Sequence, residues 1–304
     1  MAKSALIAAM KLDPVSLRLF VAVMEEGTIA EAAAREHIAA SAVSKRMSEL
    51  EQTLNTELFV RSNKGTEPTA AAYALLNLAR GVLNDLDGIF AQMRDYASGL
   101  RGQVRVHANI SAITQFLPGE LKTFMAQYPQ VQIHLQERIS SVIAKAVADN
   151  GADIGILNEG NYGEQLTLLP YHDDELVVIA PAGHPLTRRK AVKLARVLDY
   201  DVVGAHPGSV MNNLLTKAAA EMSRPLRLRI QVSSYDALCL MVAAGLGVGV
   251  MPRKSAQLFL ASLQIRCVTL DEPWAARRLV LGVRDLAALS PAARLLVQHL
   301  AAKS

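Results

Sequence analysis

Apolar positions recur at helical spacing near the start of the chain and predict two short helices. In DPVSLRLFVAVMEEG one face of a helix collects four apolar residues, Leu17, Phe20, Val21 and Met24. Asp13 suits the N-cap of this helix, and Gly27 suits its end. The next stretch, TIAEAAAREHI, places Thr28 and Glu31 at the spacing of a capping box, so a second helix follows directly.

The stretch AASAVSKRMSELE predicts a third helix with two different faces. The apolar stripe consists of Val43, Met47, Leu50 and Leu54. The opposite face carries hydroxyls and one cation, Ser41, Ser44, Lys45 and Ser48. Two short helices joined by a tight turn, with the second polar at its start, are typical of a helix-turn-helix whose polar end enters a major groove. Periodicity alone gives equal weight to a solvated face on a small helical domain.

The residues after the third helix favour the DNA-binding interpretation. The stretch LFVRSNKGTEPT begins like a strand and places Arg61 and Lys64 around an Asn-Gly turn. We interpret it as a hairpin, or wing, whose tip carries two cations toward phosphate.

A long helix is predicted over residues 69–99. Apolar positions alternate by four and three along it, at Ala72, Leu76, Ala79, Leu83, Leu86, Phe90, Met93 and Ala97. A helix of this kind cannot bury its stripe alone. We expect a second copy of the helix as its partner, with the dimer seam at Leu76, Leu83, Leu86, Phe90 and Met93. The competing interpretation is that the stripe packs onto its own chain. SGLRG, 98–102, then predicts a hinge.

Strand and helix patterns alternate in the last two hundred residues and predict parallel sheets with covering helices. That length suits two subdomains side by side. In such sheets ligands bind beyond the carboxyl ends of the strands, where helices begin. Small polar side chains stand at four of these junctions, at Asn109, Ser111, Ser140, Ser141, His206, Ser209, Ser233 and Ser234. Helix N-termini favour an anion, commonly a carboxylate, although each serine taken singly is better explained as a helix cap.

Composition and charge add little to this picture. The 304 residues are 51% hydrophobic and 20% charged, which suits two or three domains. The net charge of +4 and pI of about 9.1 point to nucleic acid, but residues 1–100 hold 10 Lys+Arg and 12 Asp+Glu. The basic surplus therefore lies outside the predicted helix-turn-helix, and the DNA-binding prediction depends on local arrangement.

Several classes of protein are not supported by the sequence. No nucleophile–base pair, paired carboxylate or metal-ligand spacing stands out, so we predict neither an enzyme nor a bound cofactor or metal. The absence of an export signal and of an unbroken apolar span predicts a cytoplasmic protein with no membrane contact. Cys239 and Cys267 lie in apolar segments, which favours core thiols; redox sensing through this pair is the alternative.

Residues 17–79 resemble the winged helix-turn-helix of the LysR-type transcriptional regulators. The match runs LxxFVAVxEEGT, AAxxxHIxxSAVSxxxxxLExxLxxxLFxR and PTxAAxAL. The family usually opens its recognition helix with Ser-Gln-Pro, whereas Ala39, Ala40 and Ser41 stand here. We expect Ser41 to replace the lost helix cap. The DNA contacts implied are Thr28, Ala40, Ser41, Ser44, Lys45, Arg61 and Lys64.

The second half of the chain resembles the effector-binding domain of the same family, which is similar to periplasmic solute-binding proteins. The matching segments are FLPGELKTFMAQYP, GADIGI and SSYDALCLMVAAGLGVGVMP. The effector residues implied are Asn109, Ser111, Ser140, His206, Ser209 and Ser233. The ligand implied is a small organic anion, either a carboxylate or an aromatic acid.

The fold class expected is α/β, with a winged helix-turn-helix, a long linker helix and a two-lobed periplasmic-binding-protein-like domain. The predicted limits are 1–67 for DNA binding, 68–99 for the linker and dimerisation helix, and 100–304 for effector binding. Lobe one is placed at 102–168 plus 269–304 and lobe two at 169–268. The resemblance implies a homotetramer, assembled as a dimer of dimers on double-stranded operator DNA, and leaves RNA polymerase open as a further partner.

Overall fold

The computed structural model describes residues 12–62, 65–98 and 102–302. The chain forms two compact units that divide near residue 94, with 149–151 grouped with the first. Each unit has a hydrophobic core of its own.

The first unit is built from short helices followed by a hairpin. Its elements are α1 (Pro14–Glu26), α2 (Ile29–Arg35), α3 (Ala40–Leu54), β1 (Phe59–Ser62) and β2 (Gly65–Pro68). Asp13 caps α1 by accepting from the Ser16 N–H at 3.0 Å, and Gly27 ends it with a φ of 83°. Thr28 accepts from the Glu31 N–H at 3.1 Å, which confirms Thr28 as the N-cap of α2. The Glu31 carboxylate accepts from the Thr28 hydroxyl rather than from its backbone N–H, so the second half of the predicted capping box differs. Val43, Met47 and Leu50 of α3 are buried in the core of this unit, as the stripe predicts.

The start of α3 differs from the prediction. Ala39 is the N-cap residue and no side chain caps the helix, so the expectation that Ser41 replaces the cap is wrong. An N-cap side chain has to precede the helix, because from there it can accept hydrogen bonds from the N–H groups of the first turn. Ser41 instead lies inside that turn, and its hydroxyl is exposed.

The hairpin after α3 is antiparallel, with Phe59 opposite Pro68. The Glu51 carboxylate fixes its entry, because one oxygen accepts from the N–H groups of Leu58 and Phe59 at 2.8 and 3.0 Å. Phe59 also packs against Phe20, with ring centroids 5.8 Å apart. The hairpin is therefore held to both α3 and the core.

The long helix α4 (Ala70–Ser98) uses its apolar residues in two ways. Ala72 and Ala79 are buried in the core of the first unit, and Leu76 and Leu83 are half-buried against it. The competing interpretation, packing onto the same chain, is therefore correct for the first half of the stripe. Apolar side chains exposed on α4 are Tyr73, Leu78, Val82, Ile89, Phe90 and Met93.

The second unit alternates strands and helices. Its strands are β3 (Gly102–Ala108), β4 (Val131–Glu137), β5 (Ile154–Asn158), β6 (Thr167–Pro181), β7 (Ala191–Val192), β8 (Val202–Gly204), β9 (Leu228–Gln231), β10 (Val248–Pro252), β11 (Ile265–Leu270) and β12 (Ala276–Val283). Its α-helices are α5 (Ile110–Gln115), α6 (Leu117–Gln127), α7 (Ser140–Ala148), α8 (Leu194–Val197), α9 (Val210–Glu221), α10 (Tyr235–Ala243), α11 (Arg253–Leu260) and α12 (Pro291–Ala301).

The sheets are mixed rather than parallel, which corrects the sequence-based expectation. β3 runs parallel to β4 and β5, and β8 runs parallel to β9 and β10. β12 lies antiparallel to both β5 and β6, and β6 is also antiparallel to β10 and β11. The antiparallel pairs arise because β6 and β12 carry the chain between two groups of parallel strands, one formed by β3, β4 and β5 and the other by β8, β9 and β10.

Two cores divide the second unit into lobes. The lobe one core contains Val106, Phe124 and Leu296, among others, and the lobe two core contains Val178 and Leu238. β6 contributes to both, because Tyr171 belongs to the first core and Leu176 to the second. The numerical limits given above for the domains and lobes stay predictions.

Candidate functional site

The polar face of α3 is accessible along the first turns of the helix. Ala40, Ser41 and Lys45 are exposed, and Ser44 is half-buried beside the core residue Val43. The Lys45 side chain is 77% exposed, and its ammonium lies 3.8 Å from the Glu49 carboxylate. A surface pair of this kind is weak, so the cation can exchange Glu49 for another anion at little cost.

Arg46 stands next to Lys45 in the sequence and has a different role. Its guanidinium contacts the Asp13 carboxylate at 3.2 Å and the Ser16 hydroxyl at 3.0 Å. These contacts tie α3 to the start of α1. Arg46 is therefore engaged within the unit, whereas Lys45 projects from it.

Three further residues are predicted to contact DNA, namely Thr28, Arg61 and Lys64. Thr28 is exposed, and its hydroxyl is engaged with Glu31 in the cap of α2. The backbone of Arg61 lies in β1, while its side chain and the whole of Lys64 fall outside the described residues.

All six residues predicted to hold an effector line one cavity of about 360 Å³ in the second unit. Asn109 and Ser111 follow β3, Ser140 follows β4, His206 and Ser209 follow β8, and Ser233 follows β9. The walls thus come from strand–helix junctions of both lobes. The structure brings these residues together although they span more than a hundred positions of sequence.

Several of these side chains also serve the local structure. Asn109 caps α5 by accepting from the Ala112 N–H at 2.9 Å, and Ser209 caps α9 by accepting from the Asn212 N–H at 3.2 Å. Ser140 accepts from the backbone N–H of Asn158 at 3.2 Å. These three residues therefore both support the local structure and line the cavity.

A chain of hydrogen bonds crosses from one lobe to the other at Ser111. Its hydroxyl lies 3.0 Å from the Tyr235 hydroxyl of lobe two. The Arg277 guanidinium of β12 donates to the same Ser111 oxygen at 3.4 Å and forms an ion pair with Asp174 of β6. All four residues have buried side chains.

Sequence reasoning missed Tyr235, Arg277 and Asp174. Tyr235 lies in the apolar stretch SSYDALCLMV and looks like an ordinary core residue. A signal for the other two was present, because the run Asp173–Asp174 lies in register opposite Arg277–Arg278 in the antiparallel pair β6–β12. Opposite charges facing each other across strands are a pairing cue.

Buried polar atoms in the cavity wall lack a hydrogen-bond partner within the protein. They are the amide nitrogen Nδ2 of Asn109, the Nε of Arg277 and the Oδ1 of Asn158. Leaving such groups unpaired costs about 1–3 kcal/mol each. These atoms favour a polar ligand in this cavity.

Burial and nearby charges at the junction of the lobes shift the pKa of the Tyr235 hydroxyl. The pKa of Tyr235 is raised to about 12, chiefly by burial. The Arg277 charge and the Ser111 hydrogen bond lower this pKa in part, and the carboxylates of Asp174 and Glu137 raise it. Tyr235 is therefore a neutral hydroxyl at physiological pH, able to donate or accept. The charges of Arg277, Asp174 and Glu137 all affect this one hydroxyl in the cavity wall.

The two cysteines are not arranged for redox chemistry. Burial raises the pKa of the Cys239 thiol to about 12, and burial also raises the pKa of Cys267. Cys239 is fully buried, with its sulfur 3.5 Å from that of Met251. Thiols of this kind hold little thiolate near neutral pH, and thiolate is the reactive form.

Residues 12–62, 65–98 and 102–302 contain no group of three or more His, Cys, Asp or Glu side chains placed to hold a metal ion. Within these same ranges no helix combines the length and the apolar character that a membrane crossing requires.

Comparison with known proteins agrees with this architecture. The model of the LysR substrate binding domain matches residues 97–304, and that of the bacterial regulatory helix-turn-helix protein, lysR family, matches 15–73. The chain is 28% identical over 264 residues to a RuBisCO operon transcriptional regulator of Acidithiobacillus ferrooxidans, covering 85% of each chain. It is 26% identical over 284 residues to the uncharacterized HTH-type transcriptional regulator YbhD of Escherichia coli, covering 93% of this chain and 89% of that protein.

Among solved structures, full-length CbnR complexed with its target DNA has the same fold. The superposition covers 96% of this chain and 100% of CbnR, with a TM-score of 0.69 at 19% identity. The family models together span both units, and the curated relatives extend across most of the chain. The protein therefore belongs to the LysR family of bacterial transcriptional regulators, which bind DNA through a helix-turn-helix and carry an effector-binding domain, and it is not an enzyme.

Proposed function

We propose that the protein is a transcriptional regulator whose operator binding responds to a small organic anion, either a carboxylate or an aromatic acid. The observation that carries this proposal is that all six predicted effector residues, from both lobes, line one cavity. Unpartnered donors in its wall, Asn109 Nδ2 and Arg277 Nε, support a ligand that accepts hydrogen bonds.

The DNA-binding half of the proposal is supported by the exposed start of α3. Ser41, Ser44 and Lys45 supply short hydrogen-bonding groups and one mobile cation. The uncapped first turn adds backbone N–H groups, which favour phosphate. Arg61 and Lys64 of the wing, together with Thr28 and Ala40, complete the proposed contact surface.

Self-association is proposed to pair two such surfaces. Phe90 and Met93 of the predicted seam are 70% and 56% exposed, and Leu86 is half-buried. A second copy of α4 would cover them. A homotetramer built from two such dimers would meet an operator with approximate two-fold symmetry, and contact with RNA polymerase remains part of the hypothesis.

The response to ligand is proposed to act through the lobes. Ser111 belongs to lobe one and Tyr235 to lobe two, and their hydroxyls already meet across the cavity. A ligand bound to both walls would favour one arrangement of the lobes over the other and so shift the population of the oligomer. Redox sensing through Cys239 and Cys267 gains no support, since the pKa of both thiols is raised.

The test of the effector half is thermal unfolding of the full chain against a panel of small carboxylates and aromatic acids. A ligand that binds only the folded protein raises its Tm. We expect at least one acid to do so, and Ser111→Ala to abolish the shift while leaving DNA affinity intact. A panel without any shift would contradict the anion site and leave DNA binding standing. Loss of DNA binding in the variant would instead place Ser111 in folding.

A further inference from the structure

We propose that Arg277 receives the carboxylate of the effector and that the cavity selects a monocarboxylate with an apolar body over dianions. This inference rests on the proposed function and deepens it, since it names both the ligand class and the residue that recognises it. It concerns a side chain that neither motif nor spacing indicated.

Two unpaired donors of fixed identity belong to residues that line the cavity together with Ser111. The orientation of the Asn109 amide is set because its Oδ1 accepts from the Ala112 N–H, which leaves Nδ2 as the free donor. The Arg277 Nε can only donate. Asn109 is 5% exposed and the Arg277 side chain 6% exposed, so water competes poorly for either donor. Arg277 also donates to the Ser111 hydroxyl, and Asn109, Ser111 and Arg277 all line the cavity.

Asp174 limits how much negative charge the cavity accepts. Its carboxylate is 1% exposed and forms an ion pair with the Arg277 guanidinium. The positive charge of Arg277 is therefore already neutralised by one carboxylate. Glu137 lines the same cavity and adds a negative charge, while Arg138 adds a positive one. With Asp174 included, these formal charges cancel. A single carboxylate gains the free donors, whereas a second anionic group finds no unbalanced cation.

The lobe-two wall of the cavity mixes apolar and polar side chains and includes no Asp or Glu. The lining contributed by lobe two between Ala205 and Leu238 contains no Lys or Arg. Val210, Met211 and Val232 supply its apolar surface. The part of the ligand distant from the carboxylate therefore meets side chains that favour an apolar body.

Matched acids separate this proposal from a general anion site. The probes are benzoate against phthalate and hexanoate against adipate, each pair differing by one carboxylate, at equal concentration and ionic strength. Thermal unfolding of the full chain is the measurement. We expect benzoate or hexanoate to raise the Tm by more than about 2 °C and the dianions to leave it unchanged.

Variants assign the effect to particular side chains. Arg277→Gln should abolish the shift with the monocarboxylates, whereas Arg278→Gln, on the same strand but paired with Asp173 at the surface, should keep it. Because Arg277→Gln leaves a buried carboxylate unpaired, the double change Arg277→Gln with Asp174→Asn serves as the variant that keeps the fold. Asp174→Asn alone should extend binding to phthalate or adipate, and Asp173→Asn should not.

Each outcome decides one part of the proposal. Equal shifts from monoanions and dianions, or no shift from any probe, would overturn the ligand class. A monocarboxylate shift that survives in the double variant would overturn the role of Arg277. Binding of the same preparation to an operator duplex is measured in parallel, so failure of DNA binding, which would contradict the proposed function, is recognised separately.

Discussion

Glu120 illustrates how a single buried charge can organise a lobe. This residue of α6 is 7% exposed, and its carboxylate accepts from the hydroxyl of Tyr171 and contacts His172 Nε2 at 2.7 Å. The His172 ring stacks on Phe116, with centroids 4.1 Å apart. Both hydrogen-bonding partners come from the start of β6. The carboxylate therefore fixes the strand that leads from lobe one into lobe two.

Removing that carboxylate should destabilise the protein strongly. Glu120→Ala leaves a buried tyrosine hydroxyl and a histidine without their acceptor, so we expect a loss of about 2–4 kcal/mol in the free energy of unfolding. Urea unfolding followed by circular dichroism measures it. The control is Asp173→Ala, whose carboxylate is 83% exposed on the same strand and should change stability by less than about 0.5 kcal/mol. Similar losses in both variants would contradict the role given to Glu120.

Lys45 provides the sharpest test among the residues proposed to contact DNA. If its ammonium leaves Glu49 to bind the duplex, Lys45→Ala should weaken binding about tenfold and lower the slope of log K against log salt by about one. Fluorescence anisotropy of a labelled operator duplex measures both quantities.

The matched control for Lys45 removes its partner on the same helix. Glu49→Gln keeps the cation and relieves its competing contact, 3.8 Å long, so affinity should be unchanged or higher. Wild-type affinity and salt slope in Lys45→Ala would remove the residue from the interface.

At the scale of elements, α3 begins without a cap, and this is open to a direct test. Ala39→Ser should place a hydroxyl where it can accept from the first-turn N–H groups, stabilising the protein by about 1 kcal/mol. Thermal and urea unfolding measure the change. Ser41→Ala, inside the turn, should leave stability nearly unaltered because that hydroxyl caps nothing. If Ala39→Ser does not stabilise and Ser41→Ala does destabilise, the assigned start of α3 is wrong.

The elements differ in how far the sequence could predict them. α1 and α2 could be predicted because their caps, Asp13 and Thr28, are local, and α3 could be predicted from its apolar stripe alone. β12 could not, because its Arg277 is buried only through an ion pair with Asp174, 103 positions away in the sequence. The stripe on α4 was predicted, but the sequence left open whether it packs onto its own chain, since burial of Ala72 and Ala79 depends on the core formed by α1 to α3.

At the scale of the whole molecule, the candidate site could be predicted in outline only. Junctions after parallel strands gather at one edge of a sheet, which is why Asn109, Ser140 and Ser209 line one cavity. Arg277 reaches the same cavity from an antiparallel strand that crosses between the lobes, and no junction rule places it there. The parallel-sheet expectation was wrong for the same reason.

The exposed apolar face of α4 leads to a prediction about assembly. Phe90 and Met93 of the predicted seam are 70% and 56% exposed and lie about one helical turn apart. Changing both to Asp should place charges in the interface between two helices, so the mass measured by light scattering should fall toward that of the monomer. Asn77→Asp adds charge on the same helix at a polar position and should leave the mass unchanged. An unaltered mass in the double variant would locate self-association elsewhere.

The most direct test of the central claim is selection of DNA from a random duplex library by the purified full-length protein, with Lys45→Ala selected in parallel. We predict enrichment of one sequence containing two related half-sites in approximate two-fold symmetry, about one helical turn or a multiple of it apart, with much weaker enrichment by the variant. No enriched sequence, or equal enrichment by the variant, would contradict an account in which the polar start of α3 recognises an operator.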